Sequence, residues 1–107
     1  MSLDFELIEM RLTTIYDANI THNLTEMASQ VGLYKCLWHP EELGITKAFE
    51  LVSLLEVGLE KLRGAPEYYK KFNPSNNWGT YDDFVVFVEV TLQACKDNPD
   101  ANVQIDR

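Results

Sequence analysis

Apolar positions along the chain change their period several times, and each change marks an element. Between Phe5 and Ile20, the residues Leu12, Thr14, Tyr16, Ala18 and Ile20 recur at period two, and Thr13-Thr14-Ile15-Tyr16 favours extended backbone. This predicts a strand over the second half of that segment. The first half, Phe5-Glu6-Leu7-Ile8-Glu9-Met10, is compatible with strand or helix. From Leu24 the period becomes helical, with Met27, Ala28 and Val31 on one face, Asn23 as the expected N-cap and Gly32 as the stop. Leu33 to Trp38 reads as an apolar, aromatic turn that Pro40 cuts off.

The clearest helical stripe is Ala48, Leu51, Val52, Leu55, Leu59 and Leu62, with Thr46 expected to cap it and Gly64 to end it. Gly58 lies on the same stripe at a cost of about 1 kcal/mol against Ala, which implies a close neighbour there. Pro66 suits the first turn of a short helix through Tyr68, Tyr69 and Phe72. Turn formers then crowd the loop Asn73-Pro74-Ser75-Asn76-Asn77-Trp78-Gly79. Thr80 with Asp83 resembles a capping box. The run Phe84-Val85-Val86-Phe87-Val88-Glu89-Val90 is rich in β-branched residues. Helical spacing nevertheless groups Phe84, Phe87, Val88, Thr91, Leu92 and Cys95, so a helix is expected.

Beyond Pro99, the stretch from Ala101 to Asp106 alternates apolar and polar residues, which predicts a last strand. Its expected partner is the segment before Asn19, and a parallel pairing is easily connected because helices fill the crossover. The fold class expected is α+β, mainly α: a helical bundle with a small two-stranded ribbon formed by the N-terminal and C-terminal segments. The 107 residues suit one globular domain, 1–107. Met1-Ser2-Leu3 is compatible with an expression-vector remnant and is left out of this expectation.

Composition changes this picture in three ways. Apolar residues at 46% and charged residues at 24% argue against disorder. The net charge of -8 opposes nucleic acid or an anionic membrane as partner. It suits a solvated surface, and it also permits carboxylates that imitate phosphates on a DNA-binding protein. Cys36 and Cys95 lie in apolar helical contexts and read as buried thiols, with a disulfide disfavoured and a reducing cytoplasm expected. No apolar run approaches the ~20 residues that span a bilayer, and the start lacks the basic region of a signal peptide.

From Asn19 onward the chain resembles a small family of bacterial and phage proteins that has no assigned activity. The resemblance rests on Asn19-Ile20-Thr21-His22-Asn23-Leu24 with Met27-Ala28, and on Leu37-Trp38 with Pro40-Glu41-Glu42. Asn73-Pro74 with Trp78-Gly79 and Tyr81, and Cys95, Pro99-Asp100-Ala101 and Arg107, complete it. Where the pattern has Asn-Gly-Trp-Gly, this chain has Asn76-Asn77-Trp78-Gly79. The resemblance implies no chemistry; its phage and mobile-element association favours a host-interaction role.

Three polar clusters are candidates for chemistry. Asn19, Thr21, His22 and Asn23 sit where a strand meets a helix start, and can hold an anion or polar ligand or simply cap and brace the turn. Asn73, Asn76, Asn77, Trp78 and Tyr81 offer amides beside an indole, which suits a nucleotide, sugar or peptide; the alternative is a capped loop with Trp78 in the core. Trp38-His39-Pro40-Glu41-Glu42 reads better as a helix start, with Trp38 in the core.

Catalysis is hard to assemble. Cys36, His39 and Cys95 lack a fourth zinc ligand, and His22 has no nucleophile or carboxylate spaced to support it. No phosphate-binding Gly loop and no Ser elbow is present. The expected function is therefore a non-catalytic binding domain, without metal or cofactor, holding a small polar ligand or peptide at the first two clusters. The alternatives are an acidic inhibitor of a host protein and a small hydrolase or metal enzyme. A homodimer is compatible with the size, though no heptad repeat marks one.

Overall fold

β1 (Ser2–Glu9) alternates from Ser2 to Leu7, and its inward residues Leu3, Phe5 and Leu7 are fully buried. The computed structural model describes residues 1–9, 13–76 and 78–107, so Leu12 of the period-two pattern lies outside the described residues. β1 forms an antiparallel hairpin with β2 (Thr13–Thr21), pairing Leu3 with Ile20, Phe5 with Ala18 and Leu7 with Tyr16. The register shifts between Leu7 and Ile8, so that Ile8 pairs with Thr14 and Ile15 is the extra residue of a bulge. The alternation slips there: Thr14 is exposed, and Ile15 packs against the core.

The expected two-stranded ribbon is a three-stranded sheet in the order β2-β1-β3. β3 (Asn102–Asp106) pairs antiparallel with β1, setting Phe5 opposite Ile105 and Leu7 opposite Val103. The parallel pairing with the second half of the N-terminal segment is therefore corrected. Both outer strands run opposite to β1 and so run parallel to each other, but β1 lies between them. Ser2 and Leu3 are part of β1, and Leu3 is buried against Ile20, so they belong to the fold.

Helices cover the inner face of the sheet. A 3-10 turn (His22–Leu24) leads into α1 (Thr25–Val31), which Gly32 closes at φ +84°. Asn23 is not the cap: Thr21 Oγ1 accepts the Asn23 N–H at 3.2 Å, because the extended residue ending β2 is the one whose oxygen faces the turn. The aromatic stretch forms α2 (Tyr34–Trp38), and Pro40 opens a second 3-10 turn (Pro40–Leu43). α3 (Phe49–Gly64) and α5 (Tyr81–Asp97) are the long helices, with α4 (Pro66–Lys70) between them and Pro66 in its first turn. Phe84, Phe87, Val88, Thr91, Leu92 and Cys95 are all buried, as the helical spacing of α5 requires. Ion pairs Arg63–Glu89 and Glu56–Lys96, the latter at 3.1 Å, join α3 to α5 in antiparallel alignment.

Thr46 does not cap α3 either. The Glu50 carboxylate reaches back from the first turn and accepts N–H bonds from Lys47 at 3.0 Å and Thr46 at 3.2 Å, plus the Thr46 hydroxyl. Thr46 is instead tied to the sheet, its carbonyl accepting the Val103 N–H at 2.9 Å, while Ala48 N–H donates to Ala101 O at 2.9 Å. The start of α3 thus covers the outer edge of β3. Buried Thr91 bonds the Tyr16 hydroxyl at 3.0 Å, so α5 is fastened beneath β2.

Two expectations follow. The N–H groups of Lys47 and then Thr46 hold the Glu50 carboxyl below its usual pKa. Its charge therefore stabilises the fold fully above the ordinary carboxylate value, and that share is lost as pH falls through the lowered one. Glu50→Gln should lower the melting temperature at neutral pH, with the difference vanishing in acid; a difference constant across the pH series would contradict this. Gly58 carries the second: an added Cβ would lie 2.6 Å from the buried Leu33 side chain. Gly58→Ala should therefore destabilise by about 1–3 kcal/mol despite its better helix propensity. In a Leu33→Ala background the same change should be neutral or stabilising, as read by chemical denaturation of the four proteins of the cycle.

Candidate functional site

The strand-to-helix junction at residues 19–23 and the loop at residues 73–80 meet in space. Asn23 Nδ2 donates to the Trp78 carbonyl at 3.3 Å. Gly79 adopts φ +94° and packs so closely that a Cβ would fall 2.4 Å from Thr21 Cγ2 and 3.1 Å from the Leu24 side chain. Only glycine fits both the backbone conformation and the space. The junction therefore depends on one residue of the loop.

Most polar side chains of both segments are already engaged. Asn19 points from the outer face of the sheet and donates to Asp4 Oδ1 at 2.6 Å and Ser2 Oγ at 2.8 Å. Asn73 Oδ1 accepts the Tyr81 N–H at 2.8 Å, and Asn76 Oδ1 accepts the Trp78 N–H at 3.0 Å. The Tyr81 ring is buried, and its hydroxyl donates to Leu62 O at 2.6 Å. Thr80 and Asp83 complete the capping box of α5. Asn77, a candidate on sequence grounds, lies outside the described residues. Trp78 is not in the core: it is 71% exposed.

His22 turns the other way. Its Nδ1 accepts from buried Trp38 Nε1 at 2.8 Å, so the proton of the neutral ring resides on Nε2. Tyr34 stacks on Trp38 with centroids 5.7 Å apart, and its hydroxyl lies 3.1 Å from His39 Nε2. His39 Nδ1 faces Glu42 at 3.2 Å. Arg107 donates to the Trp38 carbonyl at 2.6 Å and to Glu41 at 2.7 Å, and that bond holds the Glu41 carboxyl below its ordinary pKa. The third cluster is thus a brace that ties Arg107, just beyond β3, to α2. His22 belongs to the brace, whereas Trp78 belongs to the loop.

Where the two segments meet, a groove of about 430 Å³ opens between β2 and α5. Ala18 to Thr21 and Gly79 form one wall, and Asp83, Val86 and Val90 the other. Val86 and Val90 are 57% and 44% exposed, one helical turn apart, and lie off the buried stripe of α5. Sequence reasoning missed both. Their signal was an apolar run wider than one buried face needs. Neither His22 nor Trp78 lines the groove.

Nucleophilic chemistry finds little here. Burial pushes the thiols of Cys36 and Cys95 up to about 12, so both are neutral at physiological pH. Both are free and buried. Among the described residues, no three His, Cys, Asp or Glu side chains converge to hold a metal. No family model, curated protein or solved structure matches the chain, so the site is read from its own geometry.

The thiols give a direct check on the packing around α2 and α5. Iodoacetamide at neutral pH should leave both cysteines of the folded protein unmodified, while denaturant should expose both to complete alkylation. Rapid labelling of either thiol without denaturant would show that its burial is wrong.

Proposed function

We propose that this chain is a non-catalytic binding domain whose partner is a peptide segment seated in the groove between β2 and α5. The single observation that carries this reading is the groove itself. It takes residues from both polar segments, yet it runs along edge strand β2 and is lined on α5 by Asp83 and the exposed valines Val86 and Val90. A small polar ligand would need free amides and hydroxyls aimed at it. Here Asn19, Thr21, Asn23, Asn73 and Asn76 are engaged in bonds that build the junction. A peptide instead needs apolar contact and backbone partners, and both are accessible. Trp78 stands exposed next to Gly79 at one end of the groove, where an indole can extend the contact.

Peptides selected from a random display library on the folded protein should test this. Val86→Asp puts a charge into the apolar wall and should weaken selected binders at least about tenfold, or 1.4 kcal/mol. Val57→Asp is the control, because Val57 is 53% exposed on α3 and does not line the groove. It should leave binding unchanged, and both variants should melt close to the parent. A library that yields no binders, or binders indifferent to Val86→Asp, would overturn the reading.

A further inference from the structure

Resting on the peptide-binding reading above, we propose that the peptide adds to β2 as a fourth strand, with apolar side chains alternating with Lys or Arg. The two edges of the sheet differ. The outer edge of β3 is covered by residues 46–48, through Val103 N–H to Thr46 O and the Lys47–Asn102 bridge. Among the described residues, no strand or loop bonds the outer edge of β2. Alternate residues of an edge strand direct N–H and C=O groups outward, which is a template for another strand. The bulge lies at the far end of the hairpin, so residues 16–21 pair regularly with β1 and present about 20 Å of even edge.

Side-chain chemistry on the two faces of that edge sets the pattern of the partner. Beneath it runs α5, held by the Tyr16–Thr91 bond, with Val86 and Val90 exposed along the groove. A strand placed ~4.8 Å beyond β2 would direct every second side chain over those valines. The intervening side chains would emerge on the open face of the sheet. That face carries Asp4, Glu6, Asp17 and Asp106 around a hollow of about 370 Å³. Among the described residues none of these four acids is in an ion pair. Asp17 is on β2 itself, directly beside the added strand, and Glu6 lies opposite it on β1. Apolar beneath and cationic above is therefore the alternation the edge accepts.

The same acids argue against a second copy as occupant. Pairing two β2 edges would bring Asp17 and its neighbours toward their own counterparts, in chains that each carry a net charge of -8. A basic segment meets the complementary charge.

The probe is the capped peptide Lys-Val-Lys-Val-Lys-Val-Lys, titrated into the whole chain at low salt. It should bind and slow amide exchange in residues 16–21. Three changes should each cost at least about tenfold in affinity: the blocked order Lys-Lys-Lys-Lys-Val-Val-Val, N-methylation of alternate peptide nitrogens, and Asp17→Lys in the protein. Equal binding by the blocked or N-methylated peptide would leave charge attraction alone and overturn strand addition. Concentration-dependent dimers that protect residues 16–21 without peptide would overturn it in favour of a second copy. If the alternating peptide fails while display-selected peptides still depend on Val86, strand addition falls and the groove reading stands. If no peptide depends on Val86, both fall.

Discussion

Strand β1 is bonded along both edges, and the rest of the molecule is arranged around that demand. Its inward residues Leu3, Phe5 and Leu7 are fully buried, each worth roughly 1.5–3 kcal/mol of transfer free energy. That burial requires β2 on one side, β3 on the other and helices below. Phe5 is the hub, meeting Tyr16 edge-on across the hairpin and Phe87 edge-on from α5. The N–H and C=O groups of so buried a strand cannot be left to water, so both neighbours are obligatory.

Polar side chains elsewhere serve to hold that arrangement closed. Thr21, Asn23 and Gly79 lock the end of β2 to the loop before α5, and Glu50 fixes the start of α3 beside β3. The His22–Trp38 bond and the Arg107 contacts secure α2. Among the described residues no buried side-chain polar atom lacks a partner, so the cost of desolvating these groups is met within the fold. Residues that look like ligand donors in the sequence are largely consumed as fasteners. What is left over is an apolar groove and, among the described residues, an unbonded strand edge, which is why the binding reading shifts from polar ligands toward peptide.

Much of the helical part was legible in the sequence. The Thr80–Asp83 box, the buried stripe of α5, Pro66 in the first turn of α4 and the tight neighbour of Gly58 all follow from local chemistry. The sheet was harder because its order depends on pairing between distant segments. Leu7-Ile8 places two apolar residues in succession, which obscured the alternation of β1, and the register shifts between those two residues. The caps at Asn23 and Thr46 were misplaced by two and four residues relative to the true acceptors Thr21 and Glu50. In each case several polar groups compete within one turn, and only backbone geometry decides among them. The meeting of Thr21 with Gly79 had no local signature at all. The exposed pair Val86 and Val90 did have one, in the excess width of the apolar run.

The position of β1 in the sheet also has a bearing on synthesis. β1 is made before the described helices, yet its second partner, Asn102–Asp106, is made only after them. Until then the hairpin can form, but one edge of its most apolar strand stays open, and Phe5 and Leu7 lack Ile105 and Val103 across it. The sheet cannot close before residues 102–106 have been made. A nascent chain of this fold therefore passes through a stage with an open apolar strand, during which a holding chaperone has something to grip. Premature termination before residue 102 would leave the chain in that state permanently.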